Sequence, residues 1–265
     1  METELLETMF ARMGARVKVR ELTRPTERRG PGIDIRTDKR GEYFDIGVWF
    51  RNPAEYRVID IRPAERHLLL MASTERGKQK FLCGHDERHW FVCAVPGASV
   101  SSVKAAMEAL QPQEVRTSIR RRVKRVKNRL RRRNEAFVRQ GEWFFIPAPN
   151  LTVNQKLIRK DEPLSRGDGG KPHMCQYMYR TGGLPVYVCD RRPMGVSTPA
   201  YHKLLLENPD ARSWNWTTRL VNASVYVRGR VSHSDHKTVV LNDWHRVVMN
   251  TERNAPGARS VVFLD

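Results

Sequence analysis

No apolar run in this 265-residue sequence approaches the roughly 20 residues that a membrane-spanning helix requires, so no membrane partner is expected. The opening METELLETMFARM carries early acids and lacks a continuous apolar core, which is not the pattern of a signal peptide. Without an export signal, the N-x-S/T sequons at Asn150, Asn215 and Asn222 carry little weight. Cysteine is scarce: Cys83, Cys93, Cys175 and Cys189 read as reduced thiols, and the expected location is cytoplasmic. Nucleotide and hydrolase signatures are missing too. G-x-G-x-x-G, H-E-x-x-H and G-x-S-x-G do not occur. The glycine-rich Gly167–Lys171 is followed by Pro172, which has no amide to cradle a phosphate, so a phosphate-loop NTPase is excluded. There is no internal repeat.

The most informative absence is of acid. Residues 116–133 read RTSIRRRVKRVKNRLRRR, without one carboxylate. Eleven of these eighteen residues are basic: Arg116, Arg120, Arg121, Arg122, Lys124, Arg125, Lys127, Arg129, Arg131, Arg132 and Arg133. They supply more than half of a formal net charge of +19. The apolar residues Ile119, Val123, Val126, Leu130 and Phe137 recur at spacings that mark one helical face. With Pro112 before the pattern and Gly141 after it, the spacing predicts a long amphipathic helix over about 114–140. Six i,i+4 pairs in that helix would be like-charged, at a cost of about 1–3 kcal/mol in total. A polyanion lying along it would offset the repulsion, and a phosphate backbone is the commonest polyanion. In composition the eighteen residues are similar to the arginine-rich bridge helices of RNA-guided nucleases, a likeness that implies neither a fold nor an activity.

Charged residues make up 29% and hydrophobic residues 40%, a mixture that folds rather than staying disordered. Leu5, Leu6, Met9, Phe10 and Met13 share one face of a short helix over 2–13, and 15–22 alternates as a strand. A loop follows at 23–32. Strand-like segments then cover 33–38, 42–49, 56–62, 66–72, 79–84 and 89–95, with turn residues between them, as in an antiparallel sheet. A helix from about Ser99 is stopped by Pro112. Beyond Gly141, strands are expected at 142–147, 184–189, 224–231, 238–241, 244–249 and 260–264. Helices are expected at 173–180 and 198–207, and a polar loop at 159–172. The fold class expected is α+β: a module at 1–112, the basic helix at 113–141 and a β-rich module at 142–265, that is, two β-rich modules joined by a long arginine-rich helix.

Two constellations could carry chemistry. His233, Asp235, His236, Asp243 and His245 fall within thirteen residues. A hairpin of 225–231 with 238–241 would put His233–His236 in its turn and His245 beside them, with His173 joining from the preceding loop. His233, Asp235, His236 and His245 are therefore the candidate catalytic set, as acid and base on a phosphodiester or as ligands of a divalent metal. The bland alternative is a polar turn whose side chains cap backbone groups. Cys83, His85, His89 and Cys93 have the inventory of a zinc site but not its knuckle spacing, and their apolar neighbours make both thiols small core residues. Cys175, two residues from His173, lacks the rest of a thiol-nucleophile site. Trp143, Phe144, Trp214, Trp216 and Tyr226 could stack on unpaired bases if exposed.

The reading favours nucleic acid held by its phosphates along residues 116–133, RNA slightly ahead of DNA, alone or within a larger ribonucleoprotein. The alternative is a phosphodiesterase or nuclease that uses the histidine cluster, with the basic helix as substrate clamp. A scaffold for an acidic protein partner is the third.

Overall fold

The computed structural model describes residues 2–22, 32–49, 55–75, 77–165 and 171–255. Among them strand accounts for 49% and helix for 23%, so the chain is mostly β-sheet with four short helices, not two modules joined by a long one. It divides into two compact units. The first comprises Met1–Phe144, Asp235–Lys237 and Met249–Arg259; the second comprises Phe145–Ser234, Thr238–Val248 and Ser260–Asp265. Residues 23–31 of the loop expected at 23–32, most of the glycine-rich loop and the expected strand at 260–264 lie outside the described residues, and Gly32 opens a strand instead.

In the first unit, helix α1 (Glu2–Arg12) precedes strands β1 (Val17–Leu22), β2 (Gly32–Asp38) and β3 (Gly41–Trp49), which form a sheet in the order β1-β3-β2. The β1–β3 pairing is parallel, which sequence alternation does not reveal. The apolar stripe of α1 drives Leu6 and Phe10 into the core, with Met13 just beyond the helix, while Leu5 stays exposed. Phe10 meets Phe44 of β3 at 4.9 Å between ring centroids. Strands β4 (Glu55–Arg62), β5 (His67–Thr74), β6 (Gly77–His85) and β7 (Trp90–Val95) make an antiparallel meander in sequence order. On β5, Leu68, Leu69 and Leu70 are all fully buried. Leu68 and Leu70 pack with α1 and β3, and Leu69 packs with helix α2 (Val103–Ala109), so β5 is covered on both faces. Ser102 caps α2 by accepting from the Ala105 amide at 3.1 Å.

The long basic helix does not form. Helix α3 covers only Gln113–Arg122, and Val123 is extended (φ −98°, ψ 102°). A single 3-10 turn at Val126–Asn128 follows, and then irregular chain until β8 (Val138–Gln140). The break has a physical cause. Only the 116/120 repulsion remains within α3, so the other five like-charged pairs no longer face each other at helical spacing. Asn134 organises the return: its side-chain oxygen accepts from the Ala136 and Phe137 amides, and its NH2 donates to the carbonyls of Asn128 and Arg131. Ser118 on α3 then donates to the Ala136 carbonyl at 3.0 Å. The apolar stripe divides accordingly. Ile119, Val123 and Phe137 are buried, Leu130 is half-buried, and Val126 is 57% exposed.

The last residues of the first unit stitch it together from far along the chain. Thr251 donates its amide to the Leu110 carbonyl at 3.2 Å and its hydroxyl to the Ala109 carbonyl at 2.6 Å. Asn250 N–H reaches the Glu142 carbonyl at 2.8 Å, and Glu252 accepts from the Ala94 amide at 3.2 Å.

The chain enters the second unit through β9 (Trp143–Pro147). There follow β10 (Arg159–Leu164), β11 (His173–Thr181), β12 (Leu184–Cys189), β13 (Arg192–Ser197), helix α4 (Thr198–Glu207), β14 (Thr217–Val221), β15 (Ser224–Ser232) and β16 (Val239–Met249). Strands β10, β11, β15 and β16 lie side by side in that order, all antiparallel, and β13, β12 and β14 form a small separate sheet. Three expectations are corrected here. Residues 173–180 are strand rather than helix, because this segment pairs on both sides. The supposed loop at 159–172 begins with β10. The two strands expected at 238–241 and 244–249 are one continuous β16. Cys175, Met178, Val227, Val231 and Leu241 of the larger sheet are buried.

Candidate nucleic-acid interface

Ten of the eleven basic side chains of residues 116–133 are exposed; Arg132 is the half-buried one. Arg120, Arg121 and Arg122 close α3, where positive charge suits the carbonyl end of the helix dipole. Lys124, Arg125, Lys127, Arg129 and Arg131 stand on the irregular stretch behind it. Among the described residues, no carboxylate lies within ion-pair distance of Arg116, Arg120, Arg121, Arg122, Lys124, Arg125, Lys127, Arg129 or Arg131. In a chain with 29 acidic residues that is a strong local imbalance of charge among the described residues.

Arg132 behaves differently. It turns inward to Asp86, and its Nη1 lies 2.5 Å from Glu87 Oε1. Both acids sit on the β6–β7 turn, where the Asp86 amide donates to the His89 carbonyl at 2.8 Å. Burial, with the neighbouring charge of Arg139, pushes the Arg132 guanidinium down to about 10, still protonated at neutral pH. Burial also lowers Arg139, which donates to the Gly141 carbonyl at 2.9 Å and lies over the Phe144 ring at 5.8 Å. Asp86 has only 6% of its side chain exposed and also faces His236, Nδ1 to Oδ2 at 3.5 Å. The His236 ring lies against the backbone of Gly141, where a Cβ would come within 2.7 Å of Nε2. The same turn is tied down by the Lys237 amide on Glu87 at 3.3 Å and by Gln140 Nε2 on the Lys237 carbonyl at 2.8 Å.

His236 has Asp86 and Glu87, which sequence reasoning did not pair with it; no local spacing could, since some 150 residues intervene. Asp235 is half-buried on the same turn. His233 stacks on buried His173 at 4.2 Å between centroids, and its Nε2 is 3.1 Å from the Lys171 carbonyl. The hairpin of β15 and β16 forms, with Val231 opposite Val239 and His233–His236 in its turn. His245, however, sits opposite Val227, six residues down β16 from Val239. The register slips within β16 here, so the span is set by β15, where Val227 lies four residues from Val231; at about 3.3 Å per residue that is roughly 13 Å from the turn, so His245 does not return beside it. It is buried, and its Nδ1 contacts the Asp243 carbonyl at 2.8 Å.

Donor atoms of Asp86, Glu87 and His236 lie within 4.8 Å of one another, near enough to share a divalent metal. The set does not fit one as it stands: the Arg132 guanidinium already neutralises both carboxylates, and a cation would have to displace it. Among the described residues, Cys83, His85, His89 and Cys93 do not converge as ligands. Cys83 is fully buried, and burial pushes its thiol far up. His85 packs edge-on against Trp90, and His89 bonds Glu42 at 2.7 Å. Burial holds the Cys175 thiol up at about 12, well away from a nucleophile's range.

No helix among the described residues is long and apolar enough to cross a membrane. A scan against protein-family models finds no match, and neither the curated proteins nor the solved structures yield one.

Proposed function

We propose that the protein binds nucleic acid by its phosphates along residues 116–133, and that RNA is the preferred form. The observation behind this reading is the group of nine exposed cations that meet no carboxylate among the described residues. The preference for RNA rests on shape. A ten-residue helix followed by irregular chain is a poor rod for the major groove of B-DNA, whereas arginine-rich irregular segments suit folded RNA. Free thiols at all four cysteines suit a reducing, cytoplasmic setting. The test is a salt titration. Contacts to about six phosphates give a slope of log affinity against log salt near −4 on single strands and near −5 on duplex DNA. Replacing Arg121, Arg125 and Arg129 with Gln should flatten that slope by about two units. An unchanged slope would remove this segment from the interface.

A second reading, phosphodiester cleavage, is favoured by one observation. Asp86 faces His236 in the manner of a carboxylate that orients an imidazole for proton transfer. Purified protein would then cleave RNA or single-stranded DNA, and His236→Ala would slow cleavage by about 10²-fold while leaving affinity within a few-fold. Absence of cleavage across both nucleic acids and several divalent metals, with salt-sensitive binding intact, would dismiss it.

A further inference from the structure

The larger sheet brings aromatic rings and cations together across neighbouring strands. The register sets Tyr177 of β11 beside Lys160 of β10 and Arg228 of β15, and sets Tyr226 beside Arg246 of β16. The Arg228 guanidinium carbon lies 5.4 Å from the centroid of the Tyr177 ring and 5.2 Å from that of Trp244. It is thus held between rings on two neighbouring strands. Buried Tyr179 supports the group from the side, 6.3 Å from Trp244 and 6.4 Å from Tyr226. Tyr177, Tyr226, Arg228 and Trp244 are all half-buried, whereas Lys160 and Arg230 are exposed. Among the described residues, Lys160, Arg228 and Arg230 have no carboxylate partner.

Such a surface is unusual for a sheet that only needs to be wetted. Solvent-facing strand positions ordinarily alternate charges of both signs, whose cross-strand pairs stabilise the sheet. Here cations and aromatic rings are interleaved and the register positions opposite them hold no acid. An arginine kept off carboxylates and laid against rings offers a flat cation for stacking as well as a charge for a phosphate. A base in a duplex has both its faces covered by its neighbours, so only an unpaired base can use these surfaces.

We propose that the β11–β15–β16 face is a stacking platform for single-stranded nucleic acid. Unpaired bases lie on Tyr177, Trp244 and the guanidinium of Arg228, while Lys160 and Arg230 meet the adjoining phosphates. This rests on the nucleic-acid reading above and sharpens it: residues 116–133 supply charge without regard to strandedness, and this face selects unpaired nucleotides.

The test uses the full-length protein with two probes, a 12-nucleotide RNA without self-complementarity and the same strand annealed to its complement. Wild-type protein should bind the single strand more tightly. Tyr177→Leu, which keeps apolar bulk but removes the ring, and Arg228→Gln should each weaken single-strand binding by about ten-fold and leave duplex binding within two-fold, as expected for the loss of one stacking surface. Tyr177→Phe should retain wild-type behaviour, which separates stacking from a packing defect. Quenching of tryptophan fluorescence by the single strand should fall in Trp244→Phe. Three results would overturn the proposal: equal wild-type affinity for the two probes, a single-strand preference that survives Tyr177→Leu and Arg228→Gln, or no binding to either probe. The first two would leave the phosphate-binding role of residues 116–133 standing. The third would remove both.

Discussion

Arginine is used in opposite ways in the two units. Along residues 116–131 of the first, Arg116, Arg121, Arg125 and their neighbours stand in solvent without a carboxylate among the described residues. On the sheet of the second, Arg228 is laid between Tyr177 and Trp244. An exposed, flexible guanidinium contributes long-range charge and loses rotamer entropy on binding; one held between rings has already lost it. The difference teaches that total charge is a poor guide to specificity. The first arrangement attracts any polyanion, and the second can discriminate only because its geometry is set in advance. Arg132 is a third case inside the first unit, where the same residue type is consumed by Asp86 and Glu87 and serves the fold.

The comparison is broken most severely by destroying the packing beneath the exposed cations. Ile119→Asp places a charge at a site 5% exposed and should cost about 3–5 kcal/mol or prevent folding, whereas Val126→Asp at a site 57% exposed should stay within about 0.5 kcal/mol of wild type in urea denaturation. Asp86→Asn is the next largest. It leaves Arg132 with a weakened partner and should lower stability by about 1–3 kcal/mol, read from the urea midpoint. Replacing Arg121, Arg125 and Arg129 with Gln removes three positive charges that have no partner within the described structure. The thermal midpoint should hold or rise slightly at low salt as repulsion is relieved, and a fall of more than a few degrees would mean that these side chains have a structural role.

The smallest expected effect is on pH. Burial lowers His67 and His85 from their usual value near 6.5, against weaker opposing contributions. A histidine whose folded-state pKa lies below its unfolded value contributes fully above about pH 6.5, and the contribution fades as pH falls towards the folded-state value. The first unit should therefore be less stable at pH 5.5 than at pH 7.5. His67→Gln should blunt that loss, and a difference between the two pH values that is unchanged in the variant would exclude His67 as its source.

Much of the first unit could be read before the structure was seen. Alternating residues and turn signals located β2 to β7 to within a few residues, because β2–β3 is a hairpin and β4–β7 a meander, each paired between sequence neighbours within its own sheet. The helix expected at 198–207 forms with those bounds as α4, ended at Asn208-Pro209, and the structure adds a cap at Ser197, whose hydroxyl accepts from the Ala200 amide. The arginine-rich stretch departs from the helix its pattern predicts because Ile119, Val123 and Phe137 do fall at helical spacing and are each buried, but by a chain that turns back on Asn134 rather than continuing. Residues 173–180 hid the stacking face, since Tyr177 and Tyr179 declare themselves only once β10 and β15 flank them. Asp86 and Glu87 were invisible as partners of Arg132 and His236 for a simpler reason: nothing near residue 86 in the sequence refers to residue 236.

The hydrogen bonds that join Asn250, Thr251 and Glu252 with Glu142, Leu110, Ala109 and Ala94 impose a timetable on the newborn chain. The first unit cannot close when residue 144 leaves the ribosome, because its last stitches are still untranslated. At about 5–20 residues per second, the wait from residue 144 to residue 252 is roughly 5–20 s. Throughout it the edge of β7 at Ala94 and the carboxyl end of α2 stay unsealed, while the arginine-rich segment has already emerged beside the ribosome's own RNA.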